Sequence, residues 1–488
     1  MAVGQFTKAI PHFVQRPLDE LSKHGPPDLI YAHPSARRVK ELRACCQRAK
    51  HKRSFLPSVA DGTGAHQAEH DPDSHARRRA YASRVKLPTA WILAVAALAS
   101  CAKGGTAPSH TPEKQAEAEE YVVRLEQRVA AAQGDAGIRY CLCAAYDDAG
   151  KVPDALKCLE ALDARGWPVS IRVKHFHASA GSSEFQALLR RSDARETRVD
   201  RSRIAFTAPA ELVPENVAFD PKTGAFFLGS VSLRKVVRIE GGRVQDFGPP
   251  NVTPPLLSIL GMKIDAARRT LWAASEGNAA TVAGRSELLL FDVDTGELRR
   301  RFAPEDAQRH LFNDVVVSSK EDVFVTDSVG GGIYRVSARG ALRPFVPAGT
   351  FFYPNGIALS RDEKKLFVAY DVGIAVVDVD TGSRSELRND SPLSIAGIDG
   401  LYVHRDELVA VQNGIGRGRV IRIRLDSEAA RVTDVEILES GNPLFKEQAP
   451  TTGVLVGDEF HYIANYQSSR SVPVDDVRVL TLSLARQP

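Results

Sequence analysis

Four oxygen-bearing side chains recur at equivalent points of a repeated pattern in the C-terminal part of the chain. They are Glu215 in Pro-Glu-Asn-Val-Ala-Phe-Asp, Asn313 in Phe-Asn-Asp-Val-Val-Val, Asn355 in Tyr-Pro-Asn-Gly-Ile-Ala-Leu-Ser, and Asp399 in Gly-Ile-Asp-Gly-Leu-Tyr. Carboxylate and amide oxygens are the ligands that hard divalent cations prefer. The set predicts one bound divalent cation, calcium first, with zinc, magnesium or manganese as alternatives. Open coordination positions would remain for water and a substrate.

Two of these residues also fit a simpler explanation. The dipeptides Asn355-Gly356 and Asp399-Gly400 are typical of tight hairpin turns. Neither follows an alternating strand, because Pro354 precedes the first and residues 394–397 precede the second. The turn explanation therefore fits only part of the context. Three histidines near predicted strand ends are further candidates for the same site, although an isolated histidine is more often a surface or core residue: His310, His404 and His461.

Internal repeats predict how the four residues are positioned. The pentapeptide Asp292-Val-Asp-Thr-Gly296 recurs as Asp378-Val-Asp-Thr-Gly382, and short strands with a central aromatic residue recur between turns. The repeat unit is roughly 40 to 55 residues, which is enough for four short strands. Six such units predict a mainly β protein with a six-bladed β-propeller over residues 203–488, in which Arg203–Phe206 closes the last blade against the first. The four oxygen donors would then come from four blades and meet at the mouth of the central channel.

A helical segment is predicted before the propeller, over residues 113–192. Its central part resembles one tetratricopeptide repeat, in which Gly150 ends one helix and Pro153 stands in the first turn of the next. The packing positions are Leu142, Cys143, Tyr146, Ala155 and Leu159. A single repeat cannot bury its own apolar face. The segment is therefore either a docking module for a protein partner or a structural cap.

The N-terminal residues resemble a targeting signal rather than a folded domain. Residues 1–84 are rich in Arg, His, Pro and Ala without sustained periodicity, which predicts a disordered leader or one outside the native protein, with Val85 as an alternative start. Residues 85–101 combine a basic flank, an apolar run and Leu98-Ala-Ser-Cys101, which resembles a bacterial lipobox. Residues 102–112 read as a linker. The prediction is a protein of the bacterial cell envelope, lipid-anchored through Cys101 on the periplasmic face of the outer membrane.

Charge and cysteine content exclude several classes of function. The formal net charge is +4, but the basic excess lies in the leader, so the folded part is mildly acidic and no nucleic-acid partner is expected. None of the 6 cysteines follows residue 158, which excludes a cysteine-ligated metal in the propeller. Cys141, Cys143 and Cys158 are most simply buried core residues, with a disulfide of Cys158 as the alternative.

The four motifs together resemble the senescence marker protein, gluconolactonase and luciferin-regenerating enzyme family of six-bladed propellers. That family carries Glu-Gly-Pro-Val-Trp, Asn-Asp-Gly, Pro-Asn-Gly-x-x-x-Ser and Pro-Asp-Gly in this order. The resemblance implies that Glu215, Asn355 and Asp399 bind the metal, that Asn313 contacts the substrate, and that Asp399 is also the general base. This chain differs from the family motifs at three positions: Leu311, Val315 and Ile398. The predicted metal-binding residues therefore match the family better than the residues that would form a pocket for a sugar lactone.

The resemblance implies a metal-dependent hydrolase of lactones or esters. The cation would act as a Lewis acid on the carbonyl, and Asp399 would take a proton from the attacking water. The chain has no Gly-x-Ser-x-Gly motif, so a serine hydrolase has little support. The rival hypothesis is a non-catalytic, lipid-anchored scaffold whose propeller binds a ligand and whose helices dock a partner.

Overall fold

Strand pairing builds six sheets, antiparallel except for one short parallel pair, from residues 203–483 in a computed structural model of the chain. The structure describes residues 112–132, 134–166, 170–277, 284–337, 340–445, 449–465 and 476–485. They all belong to the unit Val85–Pro488. The predicted leader, lipobox and Cys101 lie outside the described residues, as does nearly all of the predicted linker.

The first three blades each contain four strands in sequential order. Blade 1 has β2 (Pro214–Asp220), β3 (Ala225–Ser230), β4 (Lys235–Glu240) and β5 (Arg243–Phe247). Blade 2 has β6 (Ser258–Asp265), β7 (Thr270–Glu276), β8 (Ser286–Asp292) and β9 (Leu298–Phe302). Blade 3 has β10 (Phe312–Val317), β11 (Val323–Asp327), β12 (Gly332–Val336) and β13 (Leu342–Val346).

The last three blades add one extra strand and the closure of the ring. Blade 4 has β14 (Ile357–Leu359), β15 (Lys365–Tyr370), β16 (Gly373–Asp378) and β17 (Arg384–Glu386). Blade 5 has β19 (Ile398–His404), β20 (Glu407–Gln412), β21 (Arg419–Leu425) and β22 (Arg431–Ser440), with β18 (Arg388–Asn389) parallel to β22. Blade 6 has β23 (Gly453–Val456), β24 (Glu459–Ile463) and β25 (Val477–Ser483), and β1 (Arg203–Ala208) pairs with β25 as its outer strand. The predicted six-bladed β-propeller and its closing strand are confirmed.

The repeated pentapeptide marks the same hairpin in blades 2 and 4. Asp292 Oδ1 accepts the Thr295 N–H at 2.7 Å, and Asp378 Oδ1 accepts the Thr381 N–H at 2.7 Å. The glycine that ends each turn has a left-handed backbone, with φ of 77° at Gly296 and 72° at Gly382. Only glycine adopts that conformation without a steric cost, which explains why the motif repeats.

Apolar clusters between neighbouring blades hold the ring together. Phe227 of blade 1 packs with Leu271 of blade 2, and Phe312 of blade 3 packs with Leu288 of blade 2. Equivalent clusters join blades 3 and 4, 4 and 5, 5 and 6, and 6 and 1. Each fully buried Leu or Phe stabilises the fold by about 1.5–3 kcal/mol. The rigidity of the ring fixes the innermost strands, which contact one another in sequence around the channel.

Four α-helices are described before the propeller: α1 (Pro112–Ala131), α2 (Ala136–Asp148), α3 (Val152–Ala164) and α4 (Ser183–Arg195). Asp135 caps α2 by accepting the N–H groups of Gly137 at 2.8 Å and Ile138 at 3.0 Å. As predicted, Gly150 lies between α2 and α3, and Pro153 lies in the first turn of α3. The tetratricopeptide character of this pair stays a prediction. No helix among the described residues is long and apolar enough to span a membrane.

A disulfide joins Cys143 of α2 to Cys158 of α3, and Cys141 is a free, half-buried thiol. The disulfide alternative is therefore correct for Cys158. Cys143 is a buried core residue, as predicted, and its sulfur is in addition paired with the facing helix. The hairpin that sequence periodicity predicts is thus also covalently closed.

The helices pack on the channel-mouth loops of the propeller. Tyr121 of α1 stacks on Phe352 of blade 4, with ring centroids 4.6 Å apart, and the Arg128 guanidinium reaches the Tyr370 hydroxyl at 3.4 Å. Ala396 and Ile415 of blade 5 belong to the apolar cluster of the helices. The apolar faces of the helices are therefore used within this chain, as expected of a structural cap. A protein partner for the helices stays a prediction.

Candidate functional site

The four predicted residues lie at the starts of innermost strands. Glu215 is in β2, Asn313 in β10 and Asp399 in β19, and Asn355 precedes β14 by two residues. These strands belong to blades 1, 3, 5 and 4. The spacing of the repeats therefore places all four at equivalent ends of their innermost strands.

Asp399 and Asn355 are in direct contact. Asn355 Nδ2 donates to Asp399 Oδ1 at 3.0 Å, while the other carboxylate oxygen accepts Asn413 Nδ2 at 2.6 Å and Thr451 Oγ1 at 2.7 Å. Asp399 is 8% exposed. Burial raises the pKa of Asp399, and the donated hydrogen bonds of Thr451, Asn413 and Asn355 oppose that rise. Side chains from three segments thus fix the orientation of this carboxylate.

Glu215 joins this pair through a shared neighbour, Tyr353. Burial raises the pKa of Tyr353 well above its usual value, and the charges of Glu215, Asp399 and Glu276 raise it further. These three carboxylates belong to blades 1, 5 and 2. On the other side, Thr452 Oγ1 donates to the Glu215 carbonyl oxygen at 2.5 Å, next to Thr451 on Asp399. The adjacent residues Thr451 and Thr452 thus link the Asp399 side chain to the backbone of Glu215.

Asn313 is held differently. Its Nδ2 donates to Ser328 Oγ at 3.0 Å within blade 3, and the side chain is 8% exposed. No hydrogen bond found in the described part of the chain joins its side chain to Asn355 or Asp399. The substrate-binding role predicted for Asn313 stays a prediction.

The next residue, Asp314, is a site residue that the sequence reasoning missed. Its carboxylate accepts the N–H of Ile357 in blade 4 at 3.1 Å and its own neighbour's N–H at 2.9 Å. Burial raises the pKa of Asp314 to about 7, with the charge of Asp399 adding to the rise and Lys263 of blade 2 opposing it. The Asn-Asp dipeptide was the available signal and both of its residues match the Asn-Asp-Gly motif, but a role was predicted only for Asn313. Asp314 lies in β10 and Lys263 in β6, which are the innermost strands of neighbouring blades.

Lys174 and Tyr353 were also missed, for different reasons. Tyr353 has a left-handed backbone with φ of 50°, and no sequence pattern predicts that conformation for an aromatic residue. Lys174 lies in the helical segment, yet its charge acts on Asp399. The three histidines do not contact Asp399 in the described residues. His310 pairs with Asp327 and Asp306, His404 with Asp458, and His461 lies 3.9 Å from Glu459.

The side-chain oxygens of Glu215, Asn355 and Asp399 are chemically suited to bind a hard cation. Asp399 Oδ1 accepts a single hydrogen bond and keeps a second lone pair, and rotation of the Asn355 amide would present an oxygen in place of the nitrogen. Within the described ranges, no group of three or more His, Cys, Asp or Glu is arranged to hold a metal ion. The predicted set contains only two carboxylates, and the remaining ligand is an amide.

The SMP-30/Gluconolactonase/LRE-like region model matches residues 259–445. The match is less than half of the chain and includes Asn313, Asn355 and Asp399, whereas Glu215 lies outside it. No curated protein matches the chain at a significant level.

Several solved propellers are similar to this chain. The PQQ-bound aldose sugar dehydrogenase from Streptomyces coelicolor is 16% identical with a TM-score of 0.43, over 58% of this chain and 97% of that one. A gluconolactonase from Xanthomonas campestris is 17% identical with a TM-score of 0.42, over 58% of this chain and 91% of that one. A luciferin-regenerating enzyme is 12% identical with a TM-score of 0.42, over 59% of this chain and 95% of that one. At these identities and TM-scores, the likeness gives no information about the reaction.

Proposed function

We propose that this protein is a metal-dependent hydrolase of lactones or carboxylic esters that acts at the mouth of the propeller channel. The observation that carries the proposal is the contact of Asn355 with Asp399, whose side chain is linked through Thr451 and Thr452 to the backbone of Glu215. The family-model match over residues 259–445 supports the same reaction class. Membership of the SMP-30/gluconolactonase family is part of this proposal.

Glu215, Asn355 and Asp399 would hold one divalent cation, calcium first. When bound, the cation supplies Lewis-acid activation of a carbonyl oxygen. Two carboxylates would balance its charge, and the Asn355 amide oxygen would complete the protein ligands.

Asp399 is the residue proposed to move a proton. A water molecule adds to the carbonyl carbon of the lactone, Asp399 takes a proton from that water, and the bond from acyl carbon to ring oxygen breaks. The proton then passes to the departing alkoxide, so that a hydroxy acid is formed and Asp399 is regenerated. The donors Thr451 and Asn413 hold Oδ2, which leaves Oδ1 to face the reaction.

Hydrolysis by wild type and Asp399→Asn tests the proposal directly. A panel of lactones and esters is assayed with added calcium and after chelation. The variant is expected to lose about 100-fold or more of kcat/KM, because a positioned base contributes 10²–10⁴-fold. Asp426→Asn is the matched control, since Asp426 lies in an exposed turn and accepts the Ala430 N–H at 2.8 Å. Equal turnover in wild type and Asp399→Asn would exclude the assignment.

The second candidate is a non-catalytic, lipid-anchored binding protein. The packing of the helices over blades 4 and 5 does not require catalysis, and a wild-type protein without activity on the whole panel would favour this candidate. Anchoring through Cys101 in the cell envelope is proposed for either function, because it rests on the lipobox alone.

A further inference from the structure

A cavity of about 120 Å³ lies between the end of α4 and blade 5. It has room for several water molecules or one small organic molecule. A backbone bridge closes the seam beside it, since Val199 and Ser440 exchange N–H bonds at 2.9 and 2.8 Å. The polar groups that line it come from both parts of the chain: Ser192, Arg195 and Glu196 from the helical segment, and Arg417, Arg419 and Ser440 from blade 5.

Arg419 of β21 is a buried and pre-oriented donor in this cavity. Its side chain is 7% exposed, and its Nε donates to Oε1 of Gln412, the residue opposite it on β20. Gln412 is fixed in turn, because its Nε2 donates to the carbonyl oxygens of Ser394 at 3.0 Å and Ala396 at 2.5 Å. Burial lowers the pKa of Arg419 to about 10, so the guanidinium stays charged at neutral pH.

The charged groups around the cavity have a positive excess. Arg417 pairs with Asp193 at 3.0 Å and with Glu196 at 2.5 Å, while Asp163 serves two arginines of α4. The described groups of this set are the guanidinium groups of Arg191, Arg195, Arg417 and Arg419 and the carboxylates of Asp163, Asp193 and Glu196. Four positive charges thus face three negative charges, and one bound monoanion would balance them.

The helical side of the cavity offers one acceptor and one donor. The Glu196 side chain is 12% exposed, and its Oε1 is buried without a hydrogen-bond partner among the described residues. A buried carboxylate oxygen without a donor costs free energy, which a donor on a bound molecule would recover. Ser192 is buried, and its Oγ accepts the Ile171 N–H at 2.8 Å, which leaves the O–H of Ser192 to donate.

We propose that this cavity binds a small hydroxy acid, whose carboxylate accepts hydrogen bonds from Arg419 and Ser192 and whose hydroxyl donates to Glu196 Oε1. A guanidinium matches the two oxygens of a carboxylate, and the single negative charge balances the excess around the cavity. A zwitterion such as glycine would leave that excess unbalanced. The site lies apart from the channel mouth, since Glu215, Asn355 and Asp399 do not line it, and it needs no metal.

Calorimetry on the full chain with glycolate, acetate, glycine and inorganic phosphate tests the site. Glycolate is expected to bind tightest, and acetate about 2- to 10-fold more weakly, because acetate lacks the hydroxyl. Arg419→Met is expected to weaken glycolate binding about 10-fold or more, since a charge-assisted hydrogen bond is lost. Glu196→Met should bring glycolate and acetate to within about 2-fold of each other. Arg335→Met is the matched control, because Arg335 is an ion-paired strand residue of blade 3 outside the cavity.

Thermal unfolding of each variant shows whether it is folded, and Arg419→Lys replaces Arg419→Met if that variant is not. The lysine variant should also bind glycolate more weakly, because an ammonium does not form the paired contact. No glycolate binding by wild type, or equal binding in wild type and the folded Arg419 variant, would overturn the site. Tighter binding of phosphate or glycine, or an unchanged preference for glycolate in Glu196→Met, would overturn the assignment to a hydroxy acid. None of these measurements uses lactone hydrolysis, so their failure is distinct from failure of the proposed function.

Discussion

Two buried carboxylates in the channel differ in what holds them. Asp399 accepts hydrogen bonds from Asn355, Asn413 and Thr451, whose side chains come from three segments. Asp314 accepts backbone N–H groups, and burial raises its pKa to about 7. A general base needs a fixed direction and a free lone pair. Asp399 meets both conditions through its Oδ1, whereas Asp314 is tied to the strand backbone of blade 4.

A buried histidine outside the site makes stability depend on pH. His310 Nδ1 lies 2.6 Å from Asp327 Oδ2, and Nε2 lies 2.8 Å from Asp306 Oδ1. Burial lowers the pKa of His310, but the hydrogen bonds and charges of Asp327 and Asp306 outweigh burial and raise it. The charged imidazolium therefore stabilises blade 3.

The pH dependence of unfolding tests this arrangement. Since the folded-state pKa of His310 is raised, its contribution is fully present below the unfolded value of about 6.5 and is lost as pH rises through the folded-state pKa. His310→Gln is expected to cost about 1–3 kcal/mol of unfolding free energy at pH 6, because the buried Asp327 loses a partner, and less at pH 9. Urea unfolding at both pH values measures it. An equal cost at both would contradict a charged His310.

At the scale of elements, α1 supports the loop that carries Tyr353. Tyr121 stacks on Phe352 with an interplanar angle of 3°, and the Arg124 guanidinium carbon lies 4.4 Å from the centroid of the same ring. Phe352 directly precedes Tyr353, whose backbone is left-handed. The helices therefore hold a strained loop of the mouth in place.

Gly137→Ala tests the close approach of α2 to blade 5. Alanine usually stabilises a helix relative to glycine by about 1 kcal/mol. Here we expect a loss of about 1–3 kcal/mol of unfolding free energy, because the new Cβ meets Ser394 and Ile415. Gly181→Ala is the matched control, since nothing lies within 4 Å of a Cβ there. A gain in the thermal unfolding temperature of Gly137→Ala would show that the contact is loose.

The disulfide between α2 and α3 is expected to stabilise the helical hairpin. It closes a loop with a sequence separation of 15 residues, which corresponds to about 3 kcal/mol in the chain-entropy model. The double variant Cys143→Ala/Cys158→Ala should therefore unfold at a lower temperature than wild type. A reductant should lower the wild-type value only. Cys141→Ala serves as control, and sensitivity of the double variant to reductant would point to another disulfide.

Sequence reasoning located most elements but not all of their contacts. Gly150 and Pro153 predicted the hairpin of α2 and α3, because each acts locally on the backbone. The pairing of Cys143 with Cys158 was only an alternative, since it depends on how two helix faces meet. The electrostatic effect of Lys174 on the pKa of Asp399 was missed, because it depends on how the helices dock on blade 5.

At the scale of the whole molecule, the propeller was predictable because each blade repeats the same local pattern. The repeated Asp-Thr-Gly hairpins and the six inner strands can be recognised from local sequence. Together they predict the ring without knowledge of distant contacts. The site was predictable only to the extent that it repeats with the blades. Glu215, Asn355 and Asp399 occupy equivalent positions in their blades. Tyr353 has an unusual backbone angle that its residue type does not predict.

Calcium binding to the full chain, stripped of metal and followed by calorimetry, tests the central claim most directly. Wild type is expected to bind one calcium ion, and Glu215→Gln and Asn355→Leu are each expected to weaken that binding about 10-fold or more, because the first removes a carboxylate charge and the second removes an amide oxygen. Magnesium, manganese and zinc are titrated in parallel. Binding of none of the four ions by wild type, or unchanged binding in both variants, would contradict the account.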